Sequence, residues 1–317
     1  MYYPYFRGKQ FELIAIRESA RLIADSGFVP VIEPVRESLA GLEKAINALV
    51  DCESQAIVVV NPRYGDHREN GESIADFLQQ KYKNDHLISA GILLGSETTV
   101  SQAEDLIKQF NSPGTTLIHA GFTEPQTLSG IIERDGKEFR NIFIEDQANL
   151  LYRRHFRGVP RILVSDGFVQ MKNSAYPAIE TFSDLHITYQ ERGMDGYGDF
   201  LTVGDSYSEG GGPAYAVAIH LTFIDPTRED AMFIYHFKSD TNDTPTDPAG
   251  KFAQALRKLI RQLDTGESRL YETAAIVELR DLYKRGHFPG LGYVKKLSIK
   301  HHLETLSIYH ARATHGG

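Results

Sequence analysis

Glu33, His119 and Glu145 are the side chains of this sequence that read as proton-transfer or metal-binding groups, and Arg7, Lys9 and Arg63 read as anion binders. Carboxylates and imidazoles that converge on one point hold Mg²⁺, Mn²⁺ or Zn²⁺. Arginines that face a phosphate clamp it in bidentate fashion. Together they describe metal-assisted phosphodiester chemistry, in which the metal acidifies a water and the arginines neutralise the phosphate. Without a metal, Glu33 or Glu145 would serve as general base and His119 as general acid. Asn61, Asp166 and His236 complete the candidate ligand-binding set. A plainer reading stands beside this one: an inward Glu at a strand end can pair with a nearby Arg and do no chemistry.

What would bring these residues together is a beat in the chain. Short apolar runs recur at Tyr2–Phe6, Val29–Val35, Ala56–Val60, Ile88–Leu94, Thr115–Ile118, Asn141–Ile144 and Arg161–Val164. Each is followed by a polar residue and a helical pattern. From Arg7 through Glu33, Asn61, Glu97, His119 and Glu145 to Asp166 the steps are 26, 28, 36, 22, 26 and 21 residues, the period of a strand–helix unit. The expected fold is α/β, a (β/α)8 TIM-barrel-like domain. Such a barrel carries its functional residues at the C-terminal ends of its strands, where all of these fall except His236.

The beat stops near residue 190. Gly193, Gly196 and Gly198 precede DFLTVGD (199–205), read as the eighth strand, and a helix is expected through Thr181. AVAIHLTFID and AMFIYHF read as a late β-hairpin insertion. Three helical patterns follow, Gly250–Leu263, Ser268–Lys284 and Gly292–Ala313. Thr98 or Thr99 is expected to cap the helix that ends at Phe110, with Asn111-Ser-Pro-Gly as its breaker. The domain reading is a barrel over 1–265 and a C-terminal helical extension over 266–317.

The 34 basic and 42 acidic residues give a net charge of −8, which argues against wholesale coating of nucleic acid but leaves room for a local basic patch. One cysteine, Cys52, excludes an intramolecular disulfide. No secretory signal and no apolar run of ~20 residues is seen, so a cytoplasmic protein without membrane contact is expected. His236-Phe-Lys238 and Asp243 match the HxK(x)4D spacing of phospholipase D enzymes, but the downstream Gly-Ser-x-Asn and a second copy are missing.

The opening MYYPYFRGKQFELIAIRE, with Tyr3-Pro4, Arg7-Gly8-Lys9, Phe11-Glu12 and Arg17-Glu18, resembles the phage-type beta protein family and its bacterial relatives. Pro30 to Val35, Asn61-Pro62, Gly198-Asp199, His220 and the His236 to Ser239 segment continue the likeness. The resemblance implies a barrel-like α/β fold and a role in phage–host conflict beside a nuclease-like partner; it brings no catalytic residues. Three functions follow as expectations. The first is a barrel that binds a phosphate-bearing ligand, a nucleotide or nucleic-acid end, through Arg7, Lys9 and Arg63. The second is a phosphodiesterase that uses a divalent metal held by Glu33, His119, Glu145 and Asp166. The third is a non-enzymatic adaptor that contacts a nuclease-like partner through Lys295, Lys296, Lys300, His301 and His302.

Overall fold

The parallel register that the beat demands is present in the computed structural model, which describes residues 1–110, 114–136, 138–210 and 212–315. Asn111, Ser112 and Pro113 of the breaker, and Gly211 of the 209–213 turn, lie outside the described residues. Eight strands form one parallel sheet: β1 (Tyr5–Phe6), β2 (Val31–Ile32), β3 (Ala56–Val59), β4 (Ile88–Gly95), β5 (Thr116–Ala120), β6 (Arg140–Ile144), β7 (Arg161–Ser165) and β9 (Gly196–Asp199). Helices return the chain between them: α1 (Gln10–Glu18) and α2 (Ala20–Asp25), α3 (Ala40–Asp51), α4 (Glu72–Lys81), α5 (Val100–Gln109), α6 (Pro125–Asp135) and the short α7 (Leu150–Arg153). Thr99 caps α5 in a reciprocal box with Gln102. Gly136, left-handed at φ 66°, stops α6.

The barrel closes where β9 meets the N-terminal segment. Tyr3 N–H donates to Tyr197 O at 2.8 Å, and Tyr197 N–H to Met1 O at 3.1 Å. The eighth strand is therefore Gly196–Asp199, not the apolar stretch after it; Leu201 sits at φ 54°, outside any strand. The cause is space. A Cβ on Gly198 would lie 2.1 Å from Tyr3 O and one on Gly196 would lie 2.8 Å from the Tyr3 ring. Only glycine admits so close an approach. Tyr3, Tyr5, Val31, Ile57, Val59, Leu93, Ile118, Ala120, Ile142, Ile144, Ile162, Val164 and Phe200 form one apolar cluster, contributed by alternate residues of the barrel strands, so the interior is packed, not a pore.

The chain divides into two compact units, residues 1–166 with 188–200, and 167–187 with 201–317; residue 265 falls inside the second. In that unit β8 (Ile179–Ser183), β10 (Ala218–Asp225) and β11 (Ala231–Lys238) form an antiparallel sheet in the order β10-β11-β8. The hairpin is where the sequence places it. The helix expected through Thr181 is instead the edge strand β8, because Ile179 to Ser183 pair with β11. After a short α8 (Leu185–Thr188) and the hairpin come α9 (Pro248–Asp264), α10 (Ala274–Arg285) and α11 (Leu291–His315). Asp247 and Thr273 cap α9 and α10. Val217, Ile219, Leu221 and Phe223 of the β10 segment, and Phe233, Tyr235 and Phe237 of β11, pack with these helices. Among the described residues no helix is long and apolar enough to cross a membrane.

Candidate functional site

Strand parity decides which candidates share a space. Side chains alternate between the two faces of a strand. With Tyr5, Val31 and Val59 inside, Arg7, Glu33 and Asn61 continue the inward row at the C-terminal ends of their strands. With Ile118, Ala120 and Ile144 inside, His119 and Glu145 belong to the outward row.

The inward set forms a real cluster. Glu33 has no exposed surface and Arg7 is 3% exposed. The Arg7 guanidinium bonds Glu33 Oε2, which also accepts from Tyr5 Oη at 2.9 Å, while Glu33 Oε1 accepts from Arg63 N–H at 2.8 Å. The rings of Tyr5, Tyr64 and Phe200 stand 5.0 Å from the Arg7 guanidinium carbon. Burial, followed by the Glu33 charge, holds the Tyr5 phenol well above its usual range, so it donates and does not ionise. Arg7 N–H donates to Glu12 at 2.6 Å, which anchors the first turn of α1. Arg7 and Glu33 thus neutralise each other inside the protein.

Arg63 points the other way, into a cleft. Its guanidinium lies 4.8 Å from the Tyr64 ring, and its Nη1 donates to Gln147 at 3.0 Å. The loop that carries it turns at Gly65, φ 77°, where a Cβ would lie 2.1 Å from Val35 O. The cleft, about 800 Å³ at the C-terminal ends of β3 to β6, is lined by Arg63, Arg68, Glu97, Gln102, Asp105 and Gln147 among others. Asn61 lies on its wall, but its amide is used structurally: Nδ2 donates to Leu93 O and Oδ1 accepts from Leu93 N–H, both at 2.8 Å. Those bonds prolong the β3–β4 ladder by one side chain.

The remaining candidates stand elsewhere. His119 is fully buried between the sheet and the segment after β6, with Nδ1 2.7 Å from Tyr152 Oη and Nε2 3.0 Å from Asn141 Oδ1. Phe143 stacks on it at 4.6 Å. Burial pushes its pKa down to about 4, so it is a neutral core imidazole. Glu145 pairs with Arg192 at 2.5 Å near the surface. Glu33, His119 and Glu145 therefore do not converge, and among the described residues no three His, Cys, Asp or Glu side chains form a metal-ligating group. Asp166 is half-buried after β7, and Lys9 is half-buried ahead of α1. His236 lies in the second unit, on β11. Lys238 is held by the carbonyls of Ser174 and Tyr176 and Asp243 is exposed, so the HxK(x)4D residues do not assemble around a substrate. On α11, Lys296, His301 and His302 are buried, while Lys295 is exposed and Lys300 half-buried.

No family model, curated protein or solved structure matches this chain. The site's chemistry thus rests on its own geometry. The sequence reading missed Tyr5, Tyr64 and Gln147. Tyr5 shares the parity of Arg7, and Gln147 follows Glu145 by two residues in the same turn; both were legible as spacing.

Proposed function

We propose that the barrel binds a phosphate-bearing ligand, a nucleotide or a nucleic-acid end, in the cleft at the C-terminal ends of β3 to β6. The observation that carries this reading is Arg63. Its main chain is fixed on Glu33, its guanidinium lies against the Tyr64 ring, and its Nη1 is held by Gln147, so the guanidinium is positioned at the cleft wall with little rotamer freedom left to lose. Arg68, at the same wall, adds a second positive charge. Glu97 and Asp105 bring acceptors that suit the hydroxyl and amino groups of a nucleoside better than a bare phosphate. A volume of about 800 Å³ lies within the usual ~300–1,000 Å³ of small-molecule sites. Arg7, matched by Glu33, positions Arg63 and does not contact the ligand. A setting in phage–host conflict beside a nuclease-like partner is supported by the resemblance of the opening segment alone.

Isothermal titration of the full chain with nucleoside mono-, di- and triphosphates and a 5′-phosphorylated oligonucleotide tests the reading. Binding should weaken about tenfold or more in Arg63→Ala, the scale of one charge-assisted contact. Absence of binding across that panel, or binding indifferent to Arg63→Ala, overturns it.

A further inference from the structure

Outside the cleft, the barrel unit has a second concavity, a groove between α1 and α3. Gln10, Leu13, Ile14 and Arg17 fall on one face of α1, and Gly41 and Lys44 on one face of α3. A Cβ on Gly41 would lie 3.2 Å from Leu13 Cδ1, so the two helices approach closely where that side chain is missing. Arg36 and Ser38, from the segment after β2, line one end. The groove holds about 260 Å³. Leu13 and Ile14 are its most buried side chains, and Arg17, Arg36 and Lys44 are exposed.

Three cations and no carboxylate line this groove, in a chain of net charge −8. The positions three and four residues from Arg17 are Leu13, Ile14, Ala20 and Arg21; those from Lys44 are Ala40, Gly41, Asn47 and Ala48. Neither helix therefore supplies an acid one turn away. Among the described residues neither Arg17 nor Lys44 makes an ion pair.

The groove and the cleft share a wall. Asp66 N–H donates to Val35 O at 3.2 Å, His67 Nε2 donates to Arg36 O at 2.8 Å, and Glu37 N–H donates to Asp66 Oδ2 at 2.7 Å. The segment after β2 and the loop after β3 are thus bonded to each other. Arg36 lines the groove side of this wall, and Arg63 and Arg68 line the cleft side. Lys44, Arg17, Arg36, Arg68 and Arg63 border one path from the groove over the wall into the cleft.

Volume decides what such a path fits. About 260 Å³ is below the usual ~300–1,000 Å³ of a small-molecule site, so the groove does not enclose a nucleotide of its own. An open groove rimmed by cations suits phosphodiesters whose sugars and bases stay in water. We propose that the ligand is a nucleic-acid strand and not a free nucleotide: its end sits in the cleft, and the phosphates that follow cross the shared wall and lie in the α1–α3 groove against Arg36, Arg17 and Lys44. This rests on the reading of the cleft as a phosphate-ligand site. A mononucleotide fills the cleft and leaves Arg17 and Lys44 unused. A strand repeats its charge at every residue, as these cations do.

Titration of the full chain with thymidine 5′-monophosphate and with 5′-phosphorylated oligothymidylates, from dimer to dodecamer, at several salt concentrations tests it. Affinity should rise with length and then level off. Each phosphate contact of a single strand adds about 0.7 to the slope of log affinity against log salt, so the dodecamer's slope should exceed the mononucleotide's by about 2. Arg17→Gln with Lys44→Gln should weaken the dodecamer and flatten its slope by about 1.4. Both residues are exposed on helix surfaces, so the double variant should keep the parent's thermal midpoint. A dodecamer that binds no tighter than the mononucleotide overturns the strand and leaves the cleft reading standing. So does a dodecamer whose affinity and slope are the same in the double variant. A dodecamer that depends on Arg17 and Lys44 but not on Arg63 overturns the cleft reading, and the joined path with it.

Discussion

Glu33→Gln is the sharpest test of how the barrel mouth is held. Glu33 accepts from Tyr5 at 2.9 Å, from Arg63 N–H at 2.8 Å and from the Arg7 guanidinium, with no exposed surface. Glutamine keeps the shape but turns one acceptor into a donor that faces a donor. It also takes the Glu33 charge away from Arg7, which is 3% exposed and ringed by Tyr5, Tyr64 and Phe200. Breaking one side of such a pair costs about 3–5 kcal/mol, against a total stability of ~5–15 kcal/mol. Arg7→Met leaves the opposite charge stranded and should cost a similar amount. Arg7→Met with Glu33→Leu removes both charges and should cost far less than the sum, a coupling of about 2 kcal/mol or more. Urea unfolding followed by circular dichroism and tyrosine emission, usable since the chain has no tryptophan, measures the cycle. Hydrogen exchange on β1 and β2 shows that the loss is local to the barrel. Single variants that each cost under ~1 kcal/mol and add in the double would refute the claim of a buried, mutually dependent pair.

Acid should destabilise both units. His119 and His301, each fully buried, have pKa values of about 4 in the folded chain against 6.5 unfolded, because burial penalises the charged ring. Between those values the unfolded chain binds more protons, so stability is full above about pH 6.5 and falls on the way down to about pH 4. That gap is worth about 3 kcal/mol per histidine at 1.36 kcal/mol per pH unit, and a urea midpoint that stays flat from pH 7.5 to 4.5 would contradict it. His119→Ala should cost about 2–4 kcal/mol through the cavity and the stranded Asn141 and Tyr152, yet leave nucleotide affinity unchanged; a loss of affinity in the folded variant, read by titration calorimetry, would return His119 to the site. Gly198→Ala should cost about 3 kcal/mol or more, because its Cβ would lie 2.1 Å from Tyr3 O; a thermal melt that superimposes on the parent's would show that barrel closure tolerates the clash.

The sequence carried the barrel because strand–helix periodicity survives in any chain that buries both faces of its strands. It did not separate the true site from the candidates, for the same reason. TLIHA and NIFIE are apolar on both faces, so no alternation shows which of Ile118 and His119, or Ile144 and Glu145, points inward. Once Tyr5 is known to face the interior, Arg7 and Glu33 follow. The eighth strand was misplaced because GYGD has almost no apolar signal. Its two glycines are a requirement of close approach to Tyr3, which depends on a residue nearly two hundred positions away. The edge strand β8 was hidden inside a segment read as helix, and it exists only through pairing with β11.

The order of strands along the chain has a consequence for assembly during synthesis. After β7 the polypeptide leaves the barrel unit for residues 167–187, returns for 188–200 to supply β9, and leaves again. Neither unit is a continuous stretch. A ribosome that has released residue 166 presents seven parallel strands with the outer edges of β1 and β7 both unpaired, open edges of the kind that recruit other chains. The barrel can seal only after the strand destined for the other sheet has emerged, and that strand, β8, then waits for β11 some fifty residues later. Separating the two units by genetic truncation will therefore fail at any single cut. A free-standing barrel needs residues 167–187 replaced by a short bridge, with the chain ended after Phe200.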